Sequence, residues 1–182
     1  MTNPTCFYLH LLMLSIVLHV LFVNQNIATA ISNNDEVSLI RNSCDGTHYL
    51  GTCLSVLEAD SRSKSATDLK SLTRISMDIV CEEAIGLKSL FTAAEKNITD
   101  PNLIKNVKKC IEVSDYCNYR IKTFGIPDFE EGNYRFANIS AKDCVDCATD
   151  CSFTGIKLFN KEIVTLHDFS ADVQDFINML QN

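Results

Sequence analysis

Apolar residues recur at steps of three and four along most of the chain. Leu69, Leu72, Ile75, Ile79, Val80, Ala84, Leu87, Leu90 and Phe91 mark one face of a long helix, with Thr67 or Ser65 available to cap its start. Asp100-Pro101 then sets a capping carboxylate before a proline at a first helical position. Leu103, Val107, Cys110, Ser114, Cys117 and Ile121 follow on a second stripe, which should end near Gly125-Ile126-Pro127. A third stripe runs Ala137, Ser140 or Ala141, Cys144, Cys147 or Ala148, and Cys151. A fourth runs Ile163, Leu166, Phe169 or Ser170, Val173, Phe176, Ile177 and Leu180. Residues 32–58 read as a shorter helical prelude around Cys44 and Cys53. No alternating strand pattern competes. Four long amphipathic stripes with short connections predict an all-α chain, an up-down-up-down antiparallel four-helix bundle preceded by a small helical hairpin.

The stretch before residue 31 follows a different rule. From Phe7 to Val23 it is almost wholly apolar, and residues 1–30 contain no Asp, Glu, Lys or Arg. Ala28-Thr29-Ala30 closes it with small residues at the spacing signal peptidase accepts, so residues 1–30 read as a cleaved secretory leader and 31–182 as one domain. The competing reading is an uncleaved anchor, for which the apolar run falls short of the roughly 20 residues a comfortable span needs. Two sequons, Asn97-Ile98-Thr99 and Asn138-Ile139-Ser140, agree with secretion and mark Asn97 and Asn138 as candidate glycosylation sites.

Charge and cysteine content narrow the function. With 16 basic against 23 acidic residues the chain carries −7, which disfavours nucleic acid and anionic membranes as partners. Nine cysteines are present, and with Cys6 in the leader eight remain. An even number in an oxidising compartment points to disulfides, although eight thiols allow 105 connectivities.

Spacing reduces that number. Cys44 and Cys53 flank the turn signal Asp45-Gly46-Thr47, so a local bridge would clamp the hairpin. Cys117 lies seven residues after Cys110, and Cys144 seven before Cys151. In antiparallel neighbours such steps, about two helical turns each, return both pairs to one seam. A 110–151 bridge thus makes 117–144 eligible too. Cys81 and Cys147 remain, and the spacing leaves them open to bridging or to persisting as buried thiols. Cys144-Val-Asp-Cys147 lacks the βαβ surroundings of a redox motif, and the mature chain has only His48 and His167 to help a metal site. Neither a metal nor another cofactor is expected.

Catalytic equipment is missing from the pattern. There is no phosphate-cradling glycine loop, no nucleophile elbow, and no histidine placed beside a reactive Cys or Ser. Glu82-Glu83 and Glu130-Glu131 are adjacent on helices, where neighbours point apart and form a solvated face. A secreted, disulfide-stapled helical domain without catalytic equipment is expected to recognise another protein.

The ordered motifs resemble the plant invertase and pectin methylesterase inhibitor family. Cys44, Thr47, Tyr49, Cys53 and Leu57 match its opening pattern, and Ala66-Thr67-Asp68-Leu69 with Leu72 resembles the start of its first long helix. Cys110-Ile111-Glu112, Ser140-Ala141 and Cys151 complete the likeness across the mature chain. The resemblance implies a four-helix bundle with an N-terminal hairpin, bridges Cys44–Cys53 and Cys110–Cys151, and an extracellular cell-wall inhibitor without a cofactor. Ser114 stands where the family commonly has tyrosine. Cys81, Cys117, Cys144 and Cys147 are additions, which make Cys144 or Cys147 a competing partner for Cys110.

The resemblance implies one of two protein partners, pectin methylesterase or acid invertase. Invertase inhibitors share a Pro-Lys-Phe motif between the second and third bundle helices, and this chain has Pro127-Asp128-Phe129 there. On that reading the segment is a target-binding loop whose phenylalanine fills a sugar-sized pocket, while Asp128 repels the enzyme's two carboxylates. The plain alternative is a helix–helix turn. Pectin methylesterase inhibitors use a flank of the bundle instead. A non-inhibitory secreted module, an allergen-like or storage relative, is the reading from another functional class.

Overall fold

The computed structural model describes residues 39–181, so the expected leader, its cleavage site and Cys6 lie outside the described residues. The chain is helical over 39–44 (α1) and Leu50–Ala59 (α2), then makes a 3₁₀ turn at Ser63–Ser65. Four long helices follow: α3 (Leu69–Glu95), α4 (Pro101–Arg120), α6 (Tyr134–Phe153) and α7 (Asn160–Met179). Between α4 and α6 lie a π-helical segment, Ile121–Gly125, and the short α5, Ile126–Glu130. No strand occurs among the described residues.

Capping chemistry sets where the first two long helices begin. Asp68, rather than Thr67 or Ser65, caps α3. Its carboxylate accepts the Ser71 N–H at 2.7 Å while the Ser71 hydroxyl accepts the Asp68 N–H at 3.2 Å. A carboxylate meets the free amides with a favourable charge, which a hydroxyl lacks. At α4 the Asp100 carboxylate accepts the Asn102 N–H at 3.0 Å, with Pro101 at the first turn.

In the bundle α3 packs on α4, α4 on α6, α6 on α7, and α7 back on α3. Ion pairs report direction: Lys88 meets Asp115 and Lys108 meets Glu95, so α3 and α4 run antiparallel. Arg120 with Asp143 and Lys109 with Asp150 show the same for α4 and α6. Inside, Phe91, Phe129, Phe169 and Phe176 are fully buried and supply the bulk that tryptophan does not.

Three disulfides are formed. Cys44–Cys53 closes the α1–α2 hairpin with its Cα atoms 5.7 Å apart. Cys110–Cys151 and Cys117–Cys144 both cross from α4 to α6, at 4.9 and 4.8 Å, on the antiparallel register the seven-residue steps predict. Cys81 and Cys147 are buried free thiols. Burial pushes each up to about 11, so neither has the thiolate character that reactivity requires.

The hairpin sits on α7 through a different chemistry. Asp168, Asp172 and Asp175 lie on one face of α7 and all point at it. Asp175 accepts the His48 N–H at 2.9 Å and holds the His48 ring Nδ1 at 2.7 Å. Asp172 accepts the Tyr49 N–H at 2.9 Å, and Asp168 the Thr52 hydroxyl at 3.4 Å. The carboxylates therefore face the N-terminus of α2, the end that favours negative charge.

Candidate protein-binding face

The segment Pro127-Asp128-Phe129 departs from expectation. It is helical, lying within α5, and is not an open loop. Pro127 exposes its ring, Asp128 is half-buried, and Phe129 is buried at 1% exposure with its ring 5.3 Å from that of Tyr134. A proline inside a helix lacks its N–H and crowds the carbonyl four residues back. Here the widened π turn at Ile121–Gly125 precedes it and lets the chain stay helical. Gly125 permits this turn to lie close on α6, since a Cβ there would stand 2.9 Å from that of Ser140. The chain finally reverses at Gly132, with φ of 81°, where the Asn133 N–H reaches the Asp128 carbonyl at 2.7 Å in a Schellman closure. Arg74 of α3 binds Glu130 at 2.8 Å and ties α5 down. Phe129 is thus part of the core and presents no apolar anchor to a partner.

A more suitable face lies on the outside of α4 and α6. Tyr116, Tyr119 and Phe124 are 48%, 50% and 40% exposed, and Tyr119 meets Phe124 edge-on at 5.6 Å. The Arg120 guanidinium stacks over Phe124 at 4.9 Å while its Nε binds Asp143 of α6 at 2.6 Å. On α6, Phe136 and Ile139 sit on the same helical face as Asp143 and are also exposed. The antiparallel register that pairs 120 with 143 brings 124 level with 139. The result is an aromatic patch around an arginine, the composition in which binding energy concentrates at protein interfaces. Beside it runs a groove between the two helices, lined by Glu112, Tyr116, Asp143, Asp146 and Asp150 together with Lys109. Three of its carboxylates are paired, Asp143 with Arg120, Asp146 with Lys142 and Asp150 with Lys109, and Glu112 leaves the groove slightly negative.

Sequence periodicity passed over this face because it lists what a helix buries. The available signal was Tyr116 and Tyr119, two aromatics standing off the apolar stripe of α4. The adjacent acids behave as surface groups: Glu82 pairs with Arg62, Glu130 with Arg74. Glu83 is pushed upward by burial first and then by the charges of Glu162 and Glu82. Among the described residues no group of three or more His, Cys, Asp and Glu is arranged to hold a metal ion.

The two sequons differ sharply. Asn97 is exposed in the connection between α3 and α4. Asn138 lies within α6, where its amide nitrogen donates to the Gln174 carbonyl at 3.3 Å and to Asn178 at 2.6 Å, and its oxygen accepts from Gln174 at 3.0 Å. Ser140 of that sequon is buried. Asn97 and the aromatic patch stand at opposite ends of α4, roughly 30 Å apart along 20 residues.

Comparison with known proteins agrees with this architecture. Two solved structures share the fold. A mutant form of a pectin methylesterase inhibitor from Arabidopsis matches with a TM-score of 0.65 at 17% identity, covering 75% of this chain and 93% of that one. A pectin methylesterase inhibitor from Arabidopsis thaliana matches at 0.58 and 16% identity, covering 79% and 96%. No curated protein matches the sequence. The family model described as plant invertase/pectin methylesterase inhibitor matches residues 38–176, which takes in the hairpin, the first three long helices and most of α7, and the chain belongs to that family of enzyme inhibitors.

Proposed function

We propose that this protein is a secreted inhibitor of pectin methylesterase that lays the α4–α6 flank across the enzyme's substrate cleft. The observation that carries the choice of target is the burial of Phe129 in α5, which removes the pocket-filling residue an invertase-directed loop needs. The exposed Tyr116, Tyr119 and Phe124 around Arg120 supply hot-spot side chains on the flank instead. The slight negative balance of the neighbouring groove, to which Glu112 contributes, fits the same target. Pectin methylesterase releases acid groups along its polymer, and a cleft that holds such a chain is complemented by anions. Inhibition is then steric: a rigid, disulfide-stapled flank occupies the cleft, and no bond in the inhibitor or the enzyme changes.

The test is a titration of the oxidised mature protein against pectin methylesterase and acid invertase near pH 5. Stoichiometric loss of pectin methylesterase activity is expected, and replacing Tyr116 and Tyr119 together by alanine should weaken it about ten- to a hundredfold. Inhibition of invertase alone would move the assignment to the other branch of the family. Inhibition of neither enzyme would leave a bundle without inhibitory function and overturn the proposal.

A further inference from the structure

The two histidines within the described residues, His48 and His167, stand far apart in sequence yet meet at the seam between the hairpin and α7. His48 holds Asp175, His167 contacts Asp168 at 2.9 Å, and the Tyr49 ring lies edge-on to His167 at 5.8 Å. Between them Asp172 is completely buried, and its Oδ2 has no hydrogen-bond partner. The charged groups facing Asp172 are Asp168 and Asp175 on its own helix and His48 on the turn before α2. On the side of α7 that meets α6, Gln174 pairs with the neutral amide of Asn138. No lysine or arginine of α3 or α6 is paired with Asp172 among the described residues. A buried carboxylate flanked by two others, each of which holds a histidine, is thus set at the centre of the seam.

We propose that this seam is a pH-set latch, which grips the hairpin on α7 while Asp172 and His48 carry their protons and loosens when both lose them. Burial chiefly, opposed by the Tyr49 N–H and the Thr47 hydroxyl and aided by the two neighbouring aspartates, raises Asp172 from an ordinary 3.8 to about 6. The hydrogen bond and charge of Asp175 raise His48 above 6.5. Both groups hold a proton more tightly when the hairpin is docked. Docking is therefore strongest in acid, weakens from about pH 4 to 6 as Asp172 ionises, and weakens again above 6.5 as His48 is neutralised. The two titrations act in the same direction. The hairpin's own disulfide joins Cys44 to Cys53 and does not tie it to the bundle, so nothing covalent overrides the latch.

Amide hydrogen exchange on the oxidised protein tests this, with protection taken relative to the unfolded-chain rate at each pH. Between pH 5 and 7.5 protection at Tyr49 and Leu57 should fall about tenfold, while Val107 and Cys110 in α4 keep theirs. Asp172→Asn, neutral throughout and still able to accept from Tyr49, should abolish most of that fall. Unchanged protection at the hairpin relative to α4, or an undiminished fall in Asp172→Asn, would overturn the proposal. Should that variant not fold, the carboxyl ¹³C shift of Asp172 in the unmodified protein decides: a midpoint near 6 supports the latch, one at or below 4.5 sinks it.

Discussion

Between α4 and α6 the inner contact is covalent and apolar, with two disulfides two turns apart and Val107, Ala141 and Ala148 buried alongside, and the ion pairs Arg120–Asp143 and Lys109–Asp150 lie outside it. Between the hairpin and α7 no covalent bond crosses among the described residues, and three carboxylates take hydrogen bonds from His48, Tyr49 and Thr52. Disulfides stabilise chiefly by restricting the unfolded chain and are indifferent to pH over the range where proteins work. A seam of titratable groups has a strength that pH sets. The division suits an inhibitor whose binding flank must stay rigid: the proposed face lies on the stapled seam, and the adjustable seam lies elsewhere.

The largest expected effect tests how far the rigid region extends. If α5 belongs to it, Phe129→Ala should lower unfolding free energy by about 3–5 kcal/mol in urea denaturation, with inhibition per folded molecule unchanged. A small stability loss joined to lost inhibition would restore the loop reading of Pro127-Asp128-Phe129. Next in size, replacing Cys110 and Cys151 together by alanine should cost about 2–4 kcal/mol. That cost should be the same at pH 5 and pH 7.5. A pH-dependent cost would mean that the two seams are coupled.

The contrast also explains what the sequence made legible. Cysteine at 110, 117, 144 and 151 carries register directly, because a disulfide demands a short Cα separation and two helices offer few ways to meet it twice. The four apolar stripes reported the bundle for a similar reason: burial imposes a period. Gly125 and Pro127 misled because both signal a stop in isolation, and only packing against Ser140 and the π turn reveals why the helix continues. Asp168, Asp172 and Asp175 look like a solvated acidic face, since nothing near them in sequence announces a hairpin more than 100 residues away. Polar contacts across such distances leave no periodic trace. Surface aromatics leave a trace only as exceptions to the stripe.

Chemical reactivity supplies a third, intermediate test. Cys81 and Cys147 are raised from 9.0 to about 11 by burial first and nearby aspartates next. At pH 8 each should show about a hundredfold less thiolate than an ordinary cysteine of the same reference value, and modification by iodoacetamide, followed by mass, should wait for unfolding. Fast labelling of either in the folded protein would show that the stapled bundle opens more readily than its two bridges imply.

The smallest effect concerns where the hairpin is attached. Besides the carboxylate seam, Arg62 in the connection to α3 donates to both oxygens of Glu82 at 2.7 Å and to Asp60 at 2.6 to 3.1 Å. The geometry is bidentate, but Arg62 and Glu82 are 42% and 58% exposed, so water and salt screen the pair. Arg62→Ala should cost at most about 1 kcal/mol, and less at high salt. Its bearing on the comparison comes from combining it with Asp172→Asn. If the seam on α7 holds the hairpin by itself, the two substitutions add without interaction, because the sites share no partner. If the connection positions the hairpin for the seam, Arg62→Ala should shift the pH at which Tyr49 loses protection, and the cycle should close with a measurable coupling. Additivity together with an unchanged midpoint is the expected result, since Glu82 and Asp60 both turn to Arg62 and neither acts on Asp172 among the described residues.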